Sequence, residues 1–168
     1  MDDALQGRVW RFGEDEPNAA LFLDTVLPGG ARRIWSVIGR NVGEDRAVRP
    51  PIPPDDFHLA IVQAEPGNGS HLHTHTTVEV FVPLSGRWAI PYADAPDEPV
   101  RELILERWDV CSVPPGTWRG FRNAGDERAE LMAIVGGTDA GRLAWAPPVL
   151  EAAREAGRHL DRDGYLAD

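Results

Sequence analysis

A single cysteine, Cys111, in 168 residues excludes an intrachain disulfide framework and cysteine-rich zinc modules, and it fits a reducing compartment. Basic charge is also scarce. Lys and Arg total 17 against 27 Asp and Glu, giving a net charge of -10 and a sequence pI near 4.9. Nucleic-acid backbones and anionic membrane surfaces attract basic proteins, so neither is expected as a partner. Long apolar runs are missing too: Asp, Glu, Arg, Gly or Pro interrupts each one well short of the roughly 18 residues that a membrane span needs. The opening Met1-Asp2-Asp3-Ala4-Leu5-Gln6-Gly7-Arg8 has no basic segment leading into an apolar run, as a secretory signal would, so a soluble, cytoplasmic protein is expected. Internal repeats and low-complexity tails are absent.

What the chain does have is 42% hydrophobic residues, enough for one core, and many turn formers, Gly at 17 and Pro at 15. These fall between short segments rich in Val, Ile, Leu, Phe and Trp, an all-β rhythm. Ten strands are expected: 21–27, 33–39, 58–64, 70–75, 79–84, 87–92, 101–105, 110–113, 119–123 and 129–135. That number suggests a sandwich or barrel. The segment Arg49-Pro50-Pro51-Ile52-Pro53-Pro54-Asp55-Asp56 cannot donate a regular ladder and reads as a stiff connector. Prolines followed by good helix formers predict one helix over 147–160, with Leu150, Ala153, Ala156 and Leu160 facing the barrel. The expected layout is an N-terminal arm with strands and the proline-rich connector (1–55), a barrel core (56–136) and a helical extension (137–168), all within one structural domain.

Metal-type ligands concentrate in one stretch. His71, His73 and His75 alternate, so a regular strand would project all three from one face, roughly 6.5 Å apart. Glu79 follows four residues later, completing a two-His, one-carboxylate set of the kind that suits open-sited Fe(II) and related divalent metals. A straight strand would leave Glu79 roughly 13 Å from His75, so Thr76-Thr77-Val78 must bend if both are to reach one ion.

These residues carry a resemblance. The pattern G-x5-H-x-H-x3-E-x6-G of the first cupin motif is met by Gly67, His73, His75, Glu79 and Gly86, and the chain resembles the small bacterial single-domain cupins. The second cupin motif, G-x5-P-x-G-x2-H-x3-N, is similar to 108–123: Pro114, Gly116 and Asn123 fall in place, and Asp109 takes a frequent acidic position. Trp108 replaces the leading glycine and Arg119 the histidine that is the fourth ligand of the family. The resemblance implies an all-β double-stranded β-helix, the jelly-roll or cupin barrel, with an N-terminal strand arm and a short C-terminal helix. It also implies that His73, His75 and Glu79 bind Fe, Mn, Ni, Zn or another divalent ion, and that the chain forms a homodimer.

Arg119 cannot ligate a cation, because guanidinium stays protonated and offers donors only. The site then keeps three protein ligands, or takes His71 or His58 as a fourth, or loses the metal and uses Arg119 to bind an acidic small molecule. Alternatively Arg119 points outward or pairs with a carboxylate such as Glu79 or Asp109. Strand parity nominates Phe81 and Phe121 as pocket walls, with Trp118 packing the barrel or gripping a substrate. Two functions follow as expectations. One is a metal-dependent enzyme for a small acidic organic molecule, an Fe(II) dioxygenase or a redox-neutral isomerase or lyase, with Glu79 and Arg119 as its catalytic pair. The other is a non-catalytic small-molecule binding protein, with or without a structural metal.

Overall fold

A computed structural model describes residues 4–40, 43–138 and 142–167. Alternating apolar residues build ten strands: β1 (Arg33–Ile38), β2 (Phe57–Ala64), β3 (Gly69–Thr74), β4 (Glu79–Pro83), β5 (Trp88–Ala93), β6 (Arg101–Leu105), β7 (Cys111–Val113), β8 (Trp118–Asn123), β9 (Ala129–Gly136) and β10 (Ala144–Trp145). One helix, α1 (Pro147–Glu155), follows. The strands form two five-stranded sheets in the orders β1-β2-β9-β4-β7 and β10-β3-β8-β5-β6, and every pairing between these strands is antiparallel. Successive strands repeatedly cross from one sheet to the other, which gives the expected jelly roll.

The inner faces meet around Phe81, Trp88, Phe121 and Leu131, all nearly or fully buried. Asn123 locks one end of this core. Its amide donates to the carbonyls of Ala64 (2.9 Å) and Glu127 (2.8 Å) and accepts from Gly125 N–H, so the motif asparagine serves a turn.

Three local features depart from the sequence pattern. Leu21 to Leu27 is not a strand: Leu23–Val26 is a 3-10 turn. The alternation of leucines there buries Leu21 and Leu23, but Asp24 is buried with them and held by Arg32, which an extended segment would not place so. The helix ends at Glu155, because Gly157 turns left-handed at φ 80°, and it buries Val149 and Ala153 while Leu150 stays exposed. The tenth strand is the short β10, paired with β3. The proline-rich connector also does more than link. Ile52 donates to Val37 O and accepts from Gly39 N–H, hooking the segment onto the edge of β1.

Trp108, where the family motif has glycine, adopts φ 72° and is 61% exposed. A side chain in this left-handed region costs about 1–2 kcal/mol, partly offset by the greater unfolded-state entropy of glycine. Trp108→Gly is expected to raise stability by about 0.5–1 kcal/mol in urea unfolding. A destabilised variant would show that packing of the indole outweighs the strain.

Candidate metal centre and its cavity

The reversal at Thr76-Thr77-Val78 occurs as the geometry requires. β3 ends at Thr74, β4 begins at Glu79, and the bend is fastened by Gly116 N–H to His75 O and Gly136 N–H to Val78 O. Glu79 Oε2 thereby comes within 3.9 Å of His75 Nε2. His73, His75 and Glu79 each offer a ligand atom, all within 4.8 Å of one another, and all three side chains are buried.

The donor set fits a divalent ion. His73 Nδ1 lies 2.8 Å from His71 O, and a carbonyl only accepts, so the proton sits on Nδ1 and the Nε2 lone pair is free. Burial and then the Arg119 charge push the His73 pKa down to about 3. Burial, His73 and Arg119 do the same to His75, down to about 2. Both rings are therefore neutral at physiological pH, the form that binds metal.

Arg119 is fully buried and pairs with Glu79 across the barrel. Nε and Nη2 donate to the same oxygen, Oε2, at 2.8 and 2.6 Å, while Nη1 reaches Thr117 O at 3.3 Å. Burial pushes the Glu79 carboxyl up, and Arg119 works against that shift. Among the described residues no protein donor reaches Oε1, while Oε2, the oxygen that faces His75, is the one Arg119 holds.

His71 stands apart from the cluster, although regular parity would place it with the other two histidines. A bulge in β3 explains the difference. Ser70 pairs with Phe121 and His73 with Arg119, so His71 and Leu72 together oppose Gly120. A Cβ at Gly120 would lie 2.4 Å from Ser70 O, so only glycine leaves room for the bulge. Ser70 replaces His71 on the inner face, and its Oγ lies 3.3 Å from His73 Nδ1. His71 turns outward to Asp24, which accepts its N–H at 2.9 Å and faces its Nδ1 at 3.2 Å.

Beside the trio lies a cavity of about 80 Å³, lined by apolar residues such as Ile34, Ala60, Val62 and Phe121. His58 lines it as well, but is not part of the metal cluster. Of the other expected contacts, Phe121 lines the cavity. Arg119, Phe81 and Trp118 do not line it: Phe81 packs on Phe121 at 5.5 Å between ring centres, and Trp118 packs toward α1.

Arg32 was not singled out by sequence, yet it lines the cavity. Its guanidinium lies near the Phe22 and Phe121 rings and donates from Nη2 to Asp24 at 2.8 Å. Burial raises the Asp24 pKa, but the charge of Arg32 and bonds from His71 and Arg32 overcome this and hold it at about 2. Parity carries the missed signal: Arg32, Ile34, Ser36, Ile38 and Arg40 alternate along one face of β1 and its flanks, and all five line the cavity.

Removing one partner of a buried ion pair costs about 3–5 kcal/mol, so Arg119→Met should destabilise the metal-free protein by that order. It also removes repulsion toward a cation. Added Mn(II) should therefore raise the melting temperature of the variant more than that of the wild type, and an equal or smaller rise would mean that Glu79 does not share its carboxylate with a metal.

Residues 60–135 match the family model described as a cupin domain. An oxalate oxidase superposes with a TM-score of 0.60 at 16% identity, covering 86% of this chain and 66% of its own. An oxalate decarboxylase from Lactobacillus farciminis superposes at 0.54 and 19% identity, covering 72% and 33%, and the DMSP lyase DddQ from Ruegeria pomeroyi at 0.52 and 18%, covering 68% and 51%. The chain thus spans less than two thirds of the length of these neighbours, and likeness at such identity concerns the fold alone. No curated protein matches the sequence. Among the described residues no helix is long and apolar enough to cross a membrane. The motif in β3 and β4, its reversal and the two-sheet topology agree with the family match: residues 60–135 have the motif and fold of a cupin domain.

Proposed function

We propose that the chain is a metal-dependent enzyme acting on a small, acidic organic molecule, with His73, His75 and Glu79 as metal ligands. The observation that carries this reading is the Arg119–Glu79 pair. Glu79 is the one carboxylate of the trio, and Arg119 already balances its charge. A divalent ion would add positive charge that no second carboxylate among the described cavity-lining residues offsets, in a buried setting where charge is costly. An anionic ligand supplies the missing balance, and the small apolar cavity limits its size.

Bound there, the ion would supply a Lewis acid toward a ligand oxygen and, as Fe(II), open positions for O2. The protein's own part is to hold two neutral imidazoles, to favour the ionised form of Glu79 through Arg119 against the effect of burial, and to exclude water with Ile34, Val62 and Phe121. The names of two structural neighbours point to oxalate, a small dianion, which accords with an acidic ligand. An Fe(II) dioxygenase is one version of this activity, a redox-neutral isomerase or lyase the other. The proposed assembly is a cytoplasmic homodimer.

The same ion pair favours a second reading. Because Glu79 is already neutralised, the barrel is electrostatically complete without a metal, as a non-catalytic binding protein would be. Metal-loaded and EDTA-stripped protein discriminate between the two. In the enzyme reading, oxalate raises the melting temperature of the loaded form by several degrees and leaves the stripped form unchanged. Equal shifts in both forms favour the binding protein, and no shift in either contradicts an acidic ligand.

A further inference from the structure

His58 is a buried polar group that the metal centre does not use. It lies on β2, is 4% exposed and lines the cavity. One ring nitrogen is committed: the backbone N–H of Arg40 donates to Nδ1 at 3.2 Å. A nitrogen that accepts from N–H carries no proton, so the neutral ring bears its proton on Nε2. Gly39 forms the seat for this arrangement. It adopts φ 138°, and a Cβ there would lie 2.2 Å from Nδ1.

Nε2 at the other side of the ring is buried and meets no partner among the described residues. A buried donor is normally paired, so this N–H lacks an acceptor that the protein does not provide. Strand register indicates where that acceptor belongs. His58 pairs with Val135 and Val135 pairs with Glu79, so the three form one row across the sheet, and all three line the cavity. The free donor therefore stands on the same wall as the carboxylate of the metal trio, with one strand between them. The cavity does carry side-chain acceptors, Ser36, Ser70 and Glu79, but among the described residues none of them hydrogen-bonds this nitrogen.

We propose that His58 is a ligand-binding residue whose Nε2–H donates to an oxygen of the acidic molecule bound at the metal centre. The geometry makes it a determinant of specificity, since a ligand without an acceptor at this position would leave the donor unpaired. The proposal rests on the reading of the cavity as a site for a small acid.

Nitrogen-15 NMR of histidine-labelled, full-length protein tests the tautomer directly and needs neither metal nor ligand. The expected pattern is Nε2-protonated for His58, and a proton on Nδ1 would overturn the proposal while leaving the proposed function intact. Calorimetric titration of Mn(II)-loaded protein with acetate, glycolate and oxalate then tests the contact. His58→Leu should weaken the tightest of these tenfold or more with manganese stoichiometry unchanged, and His58→Gln, whose amide donates, should recover part of the loss. Gly39→Ala, which displaces the ring without removing it, is the second variant and should weaken the same acid. Unchanged affinity in both His58→Leu and Gly39→Ala would mean that Nε2 serves water only and would overturn the proposal. Lost manganese in His58→Leu would make His58 a metal ligand and overturn it too. If the wild type takes up no manganese, the titration is run on the metal-free chain with the same losses expected. Absence of binding by all three acids to the wild type would overturn both the acidic-ligand reading and this inference.

Discussion

The buried ion pair between Glu79 and Arg119 ties the molecule together. Glu79 opens β4 in one sheet and Arg119 lies on β8 in the other, so the pair is a polar rivet between the two layers of the barrel. Ions removed from water carry a desolvation cost of several kcal/mol each, and only close, doubly bonded geometry offsets it. Two N–H groups of Arg119 falling on one oxygen meet that demand and leave the other oxygen of Glu79 without a donor among the described residues. The same contact thus holds the sheets, works against the rise that burial imposes on the Glu79 carboxyl, and sets the charge of the site. The charge of Arg119 also depresses the basicity of His73 and His75, reinforcing the effect of burial.

A second buried pair, Asp24 with Arg32, plays a comparable part at the entry of the arm into the barrel. Asp24 holds Arg32 on one oxygen and His71 on the other. Arg32 in turn bonds the carbonyls of Gly30 and Gly69, locking the arm to the start of β3. Nearby, Glu44 accepts from Trp145 Nε1 at 2.7 Å and from Leu23 N–H. Burial lifts its pKa to about 7, against the pull of those two bonds. The N-terminal segment is therefore part of the site's support, joined through charged groups and not merely laid over an outer face.

Sequence reasoning reached the cluster of His73, His75 and Glu79 because motif spacing and elementary distance agree: two imidazoles and a carboxylate four residues later can share an ion only if 76–78 reverse. It also reached the barrel, since most strands alternate cleanly. The placement of His71 was hidden, because the bulge that flips it depends on Gly120, some fifty residues away in the chain and adjacent only in the folded sheet. The role of Arg32 was hidden for a similar reason. A charged residue just before a strand reads as solvated surface until its partner Asp24 is seen buried beside it. Arg119 was recognised as decisive, and pairing with Glu79 stood among its alternatives, but nothing local to either residue selects that partner.

The central claim is that Glu79 serves Arg119 and a divalent ion at once. Elemental analysis of protein purified without a metal-affinity tag tests it most directly. The account predicts close to one equivalent of a transition metal per chain, or its uptake on reconstitution, released by chelation. Less than about a tenth of an equivalent, persisting after reconstitution with Fe(II), Mn(II), Ni(II) and Zn(II), would contradict it.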